Sequence, residues 1–194
     1  MIEFREDPIN EAIYGKHGIM SAIDVLFEKE CVTWGLMIIM CGIDLMSNLD
    51  RPEGNSENTP EDFKNWVKKY IRLRDDNILT PDDLWGARNA MLHTYGVFSK
   101  DVRSGKAKII TWVPNRLVPM RYDPEADQNL VMVDPSAFRE AFSKGVSDFR
   151  SSTLSDTKKK PIIEQRLPEL ITYSMYIKCA DGKVQARDPR SLTE

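Results

Sequence analysis

Residues 31–49 read CVTWGLMIIMCGIDLMSNL, and the distribution of apolar side chains along them decides the fold class. Trp34, Leu36, Met37, Ile38, Ile39, Met40, Ile43, Leu45 and Met46 fall on nearly every side of a helix with 3.6 residues per turn. That is the pattern of a helix enclosed by others. One charge, Asp44, interrupts the run. Its most apolar part, residues 31–46, falls short of the ~20 apolar residues that a bilayer-spanning helix needs. The expected setting is therefore a protein core, with no membrane association. Cys31 and Cys41 are expected to behave there as small hydrophobes.

Working outward, residues 14–27 place Ile19, Ile23, Leu26 and Phe27 on one side of a preceding helix. The N-terminal MIEFREDPINEA is acidic and polar, unlike a secretory leader. After the central helix, DRPEGNSEN (residues 50–58) is a loop rich in turn formers. Two marked helix starts follow. Thr59-Pro60-Glu61-Asp62 supplies an N-cap, a proline at the first helical position and acids in the first turn, ahead of Phe63, Trp66, Val67, Tyr70 and Ile71 at three-four spacing. Thr80-Pro81-Asp82-Asp83 repeats this chemistry and predicts a helix from Pro81 to about Tyr95, stopped near Gly96. Four helices with short connections predict an up-and-down bundle over residues 14–96, giving a mainly α fold.

The second half changes character. Residues 99–108, SKDVRSGKAK, form a basic, turn-prone connection. Residues 109–113, 117–121 and 130–133 predict short strands between proline-rich turns. Asp134-Pro135 then caps a helix over residues 136–149, with Phe138, Ala141, Phe142, Val146 and Phe149 on one face. Residues 151–160 read as a polar linker, 162–177 as an apolar stretch broken by Pro168, and the last dozen residues as loose chain. The expected organisation is one domain over 1–194: a bundle (14–96), a small β-containing extension with an additional helix (105–150), and a linker and tail (151–194).

Composition narrows the function classes. Hydrophobic residues make up 41% of 194, enough for a core, and the net charge of -3 argues against a general nucleic-acid-coating protein. The 27 Lys and Arg residues still allow a local basic site. The three cysteines, Cys31, Cys41 and Cys179, are odd in number and lack metal-binding spacing, which points to a reducing compartment and a cytoplasmic location.

The chemistry concentrates in residues 84–95, LWGARNAMLHTY. On a helix, Leu84, Ala87, Met91, Leu92 and Tyr95 gather on one face with Arg88 near its middle, and Asn89 and His93 form the adjoining row. An arginine on an apolar stripe needs compensation. It either pairs with a buried acid, for which Asp44 is the candidate, or meets a phosphate in a cleft; its planar fork suits both. His93 is the side chain best suited to proton transfer near neutral pH, and Asn89 can orient its ring or hold a substrate oxygen. The other histidine, His17, has no such neighbours. No metal or cofactor is expected.

Arg88-Asn89-x-x-x-His93 on the last helix of a four-helix bundle resembles the Arg-x4-6-His motif of HEPN domains, many of which are metal-independent endoribonucleases of toxin–antitoxin, phage-defence and CRISPR-associated systems. Ala87-Arg88 through Leu92-His93-Thr94, followed by Ser104-Gly105-Lys106-Ala107, also resembles a group of small bacterial proteins. The HEPN resemblance covers residues 14–96. It implies a homodimer with a composite site, an RNA substrate and a protein partner such as an antitoxin. It further implies proton transfer by His93, phosphate positioning by Arg88 and Asn89, and products carrying a cyclic phosphate and a 5′ hydroxyl. A second reading is a non-catalytic HEPN-like protein that binds a protein or a nucleotide, with Arg88 and Asp44 as a structural pair.

Other residues are weighed against plainer roles. Lys100, Arg103, Lys106 and Lys108 are candidates for steering an RNA backbone, against a solvated loop. Arg116 and Arg121 could extend that patch. Trp34, Trp66 and Trp85 are expected in the core and the methionines as gap fillers, while Trp112 is left open. Lys158-Lys159-Lys160 reads as solvated linker. Asp24 is either a second carboxylate near the site or a surface acid.

Overall fold

The computed structural model describes residues 8–73, 78–114, 119–170, 175–178 and 184–187. In chain order these form α1 (Pro8–Tyr14), α2 (Ile19–Glu28), α3 (Val32–Asp50), α4 (Pro60–Tyr70), α5 (Pro81–Thr94) and a short α6 (Lys100–Arg103). There follow β1 (Ile109–Trp112), β2 (Met120–Tyr122), α7 (Pro124–Asp127), β3 (Leu130–Val133), α8 (Pro135–Ser155), α9 (Lys159–Leu170), β4 (Met175–Lys178) and β5 (Val184–Arg187). The protein is mainly helical with a small three-stranded sheet.

The apolar α3 is the centre. It packs against α2, α4, α5, α8 and α9, and Leu36, Ile39, Met40, Ile43, Met46 and Leu49 are buried. By length and mean hydropathy (1.5) α3 is also apolar enough to cross a membrane, contrary to the expectation that the run is too short; half of that window lies inside the protein. The helix expected beyond the strands is longer than expected and does not stand apart. Asp134 caps it through Ala137 N–H, and Phe138, Phe142, Val146 and Phe149 enter the same core as Trp66. Gly42 on α3 permits this approach, because a Cβ there would meet Phe142 Cζ at 2.6 Å.

Several local expectations are corrected. The helix expected over residues 14–27 begins only at Ile19, because Gly15 and Gly18 weaken the first turn and Gly18 is extended (ψ 159°), and a separate α1 over Pro8–Tyr14 was not foreseen. The apparent linker at 151–160 contributes to both α8 and α9, with Lys159 bound to Asp50 at 2.5 Å and set over the Phe149 ring. Pro168 lies within α9 rather than breaking the chain. Trp34 is 57% exposed, and Cys31 and Cys41 are exposed. Apolar side chains on every side of α3 exceed what its neighbours cover.

In the sheet, β3 lies between β1, parallel to it, and β2, antiparallel, with Ile110 opposite Val131 and Arg121 opposite Met132. Trp112 packs on Phe138 of α8, with ring centroids 5.1 Å apart. A separate antiparallel pair, β4–β5, was not foreseen. Arg116, Cys179 and the last seven residues lie outside the described residues.

Candidate active site

The start of α5 is fixed by its own sequence. Thr80 Oγ1 accepts from Asp83 N–H, and Asp83 returns a bond to the Thr80 backbone N–H at 2.9 Å, closing a capping box with Pro81 at the first helical position. Asp83 is buried and also accepts from the backbone and side chain of Lys108. Beyond the other end, Tyr95 rather than glycine adopts the left-handed conformation (φ 51°), and Tyr95 and Gly96 N–H both turn back to the Ala90 carbonyl.

Between these ends, Arg88, Asn89 and His93 come together with Asp44. Arg88 Nε and Nη2 donate to Asp44 Oδ2 at 2.8 and 2.6 Å. Its remaining nitrogen, Nη1, lies 3.1 Å from Asn89 Oδ1 and 3.0 Å from His93 Nε2. The guanidinium also sits 5.2 Å from the Trp85 ring centroid, and Trp85 meets Phe63 edge-on. The pairing of Arg88 with Asp44, one of the two expectations for this arginine, is therefore present, and the edge not used by Asp44 faces Asn89 and His93.

This geometry has a chemical consequence. A guanidinium only donates, so the contact with His93 Nε2 requires an unprotonated acceptor there and puts the imidazole proton on Nδ1. His93 Nε2 then carries a lone pair on an exposed side chain at the end of the helix. Burial pushes the Asp44 carboxyl above the usual carboxylate range, opposed by its hydrogen bond from Arg88 and by the Arg88 charge. Asp44 and Arg88 are only 24% and 20% exposed.

Arg88 also lines an open groove of about 420 Å³ between α3 and the start of α4. Cys41, Asp44, Leu45 and Asn48 supply one wall, and Asn58, Thr59 and Pro60 the other. Cys41 and Asn48 were not singled out from sequence, although each lies one turn from Asp44 and so shares its face. Cys41 is exposed at the rim of this groove, and its thiol is pushed up by partial desolvation against the wall and by the neighbouring Asp44, so it stands as a neutral thiol.

The basic candidates separate. Lys100, Arg103 and Lys106 are exposed on and beside α6. Lys108 is not free for a ligand, since its ammonium bonds Asp83 and the Ile78 carbonyl at the N-terminal end of α5. From Asp83 to His93 is about 15 Å along the helix axis. Arg121 lies on β2, facing solvent beside Asp123 and Asp127. Asp24 pairs with Arg139 at 2.6 Å rather than with Arg88. His17 lies exposed in the turn between α1 and α2. Among the described residues, no group of three or more His, Cys, Asp or Glu side chains gathers as a metal site.

No family model, curated protein or solved structure matches this chain. What the site can do is therefore read from its own chemistry.

Proposed function

We propose that the protein is a HEPN-like, metal-independent endoribonuclease acting in the cytoplasm as a homodimer, with α2–α5 as the up-and-down four-helix unit. One observation carries this reading: Arg88 Nη1 lies within hydrogen-bonding distance of both Asn89 Oδ1 and His93 Nε2, at the exposed end of an otherwise half-buried ion pair. An imidazole lone pair, an amide and a guanidinium beside one another suit a phosphodiester flanked by a ribose hydroxyl.

In this reaction His93 Nε2 takes the proton of the 2′ hydroxyl as its oxygen attacks phosphorus. The P–O5′ bond breaks, leaving a 2′,3′-cyclic phosphate and a 5′ hydroxyl once the leaving oxygen is protonated. Arg88 Nη1 moves from the imidazole to a phosphate oxygen, while Asp44 keeps the rest of the guanidinium in place. Asn89 orients the ring or the nucleotide. A second copy would bring its own motif helix to the same phosphate. The resemblance of the motif supports a role in a toxin or phage-defence system with an antitoxin-like protein partner.

The test is RNA cleavage by purified protein in EDTA, compared with His93→Ala and Arg88→Ala. Both variants should lose at least a hundredfold in rate, the lower end of what a positioned proton-transfer group contributes (roughly 100–10,000-fold). His93→Ala should fold normally, because its side chain is exposed. Cleavage that survives unchanged in both variants removes the site.

A second reading has its own support. Two of the three guanidinium nitrogens are spent on Asp44, which is how a purely structural brace would look. The protein would then be a helical binding module for a protein or nucleotide. It is favoured if His93→Ala has no effect on any RNA while Arg88→Ala lowers stability.

A further inference from the structure

The surface just beyond His93 carries a feature the catalytic reading does not use. Tyr95 is 77% exposed and Phe98 is 48% exposed, with Val97 between them at 40%. Large aromatic rings facing water cost hydration free energy and are retained where they meet something. The next residues of the chain include the exposed Lys100, Arg103 and Lys106, and the Arg103 guanidinium lies 5.7 Å from the Phe98 ring centroid. Among the described residues no acidic side chain pairs with any of these three cations.

The backbone places this patch beside the reaction centre. Gly86 lets the α6 segment lie close against α5: a Cβ there would meet Ala107 Cβ at 2.7 Å and Val102 Cγ2 at 3.4 Å. Gly86, Asn89 and His93 follow one another at helical spacings of three and four, so they share one face of α5. The basic segment is therefore docked on the face that carries Asn89 and His93, two turns or about 10 Å from His93. Tyr95 follows His93 by two residues and is turned outward by its left-handed backbone, a conformation in which a Cβ crowds the carbonyl and glycine is preferred. Gly96 stands next in the chain, yet the tyrosine occupies the position.

We propose that Tyr95 and Phe98, framed by Lys100, Arg103 and Lys106, form a stacking surface for unpaired bases flanking the phosphate held at Arg88 and His93, an assignment that rests on the RNA-cleaving reading for its ligand. The partner chemistry follows from the pairing of flat apolar rings with unpaired cations. Bases stack on the rings and phosphates meet the ammonium and guanidinium groups. A duplex hides its base faces and gains nothing from the aromatics.

The experiment measures binding, not cleavage, by fluorescence anisotropy of a labelled unstructured RNA with the full chain carrying His93→Ala. Tyr95→Gly and Phe98→Ala are added singly. Tyr95→Gly suits the backbone and should leave the melting temperature unchanged or higher, which separates the absence of the ring from a failure to fold. Each change should weaken single-strand binding about fivefold or more. Replacing Lys100, Arg103 and Lys106 with Gln should lower affinity and flatten its salt dependence, by about 0.7 in logarithmic slope for each phosphate no longer neutralised. The same RNA annealed to its complement should bind less tightly and be insensitive to Tyr95→Gly.

Unchanged binding in both aromatic variants, equal affinity for the duplex, or no RNA binding at all overturns the proposal. Binding that depends on Tyr95 in a protein that does not cleave would overturn the catalytic reading alone. Cleavage abolished by His93→Ala with binding indifferent to Tyr95 and Phe98 would overturn only the stacking surface.

Discussion

Arg88 does two jobs with one planar group, and the balance between them is measurable. Its bonds to Asp44 lower a carboxyl that burial raises, so removing the guanidinium moves Asp44 further up. In wild type the folded carboxyl already binds its proton more readily than in the unfolded chain. Its own contribution therefore favours the fold below the unfolded value and is lost as pH rises through the folded one. Arg88→Ala widens that window. We expect it to destabilise by roughly 2 kcal/mol at pH 7, less than for a sealed pair because both groups are partly wet, and by progressively less as pH falls and Asp44 takes up its proton. Urea denaturation across that range checks this; a deficit independent of pH would mean the bonds to Asp44 contribute little. The candidacy of Asn89 and His93 was legible in the sequence because they lie one helical turn apart, and that of Arg88 because it stands as a charge on the adjoining apolar face. The Asp44 pairing was legible too, as the one charge inside the apolar helix; that Nη1 would be left over to touch both Asn89 and His93 was not, since it depends on how α3 lies against α5.

At the scale of elements, the helix starts were legible and several stops were not. Capping boxes at Thr59 and Thr80 need only residues three apart, so local sequence states them in full. The end of α3 is closed from far away. Arg166 of α9, 8% exposed, donates to the carbonyls of Leu49 (2.9 Å), Arg51 (2.7 Å) and Pro52 (3.1 Å), placing a cation at the helix C-terminus. Nothing near residue 50 announces this partner from the far end of the chain. Arg166→Met keeps the aliphatic stem and removes the donors. It should cost about 2–4 kcal/mol and lower the melting temperature by about 5 °C or more, read by calorimetry. A change within about half a kcal/mol, at the level of an ordinary surface substitution, would mean that water satisfies those carbonyls as well.

For the whole molecule, the uncovered flank of α3 bears on assembly. Trp34 and Cys41 are exposed, and Met37, Ile38 and Leu45 are only partly covered, along a three-four stripe that runs into the Asp44–Arg88 groove. If two copies join to build a composite site, this stripe is the surface that would place two Arg88 side chains near one another. Trp34→Lys should then leave the melting transition of the monomer intact while converting a dimer to a monomer in light scattering, with cleavage falling in parallel. A wild-type protein that is monomeric at every concentration tested would remove the composite site but not the single-chain convergence of Arg88 and His93.

Local sequence states the helical class, the caps of α4 and α5, the strands near 109–133 and the Asn89–His93 row beside Arg88 on α5. These follow from periodicity and from interactions between near neighbours in the chain. Tertiary structure alone decided that α8 joins the central core, that Lys108 is taken up by Asp83, that Trp34 and Cys41 face outward, and that Arg88 is shared between an acid and an imidazole. The reason is that each depends on which faces of distant helices are pressed together, and burial and ion pairing across such a seam depend on distances that chain spacing does not encode.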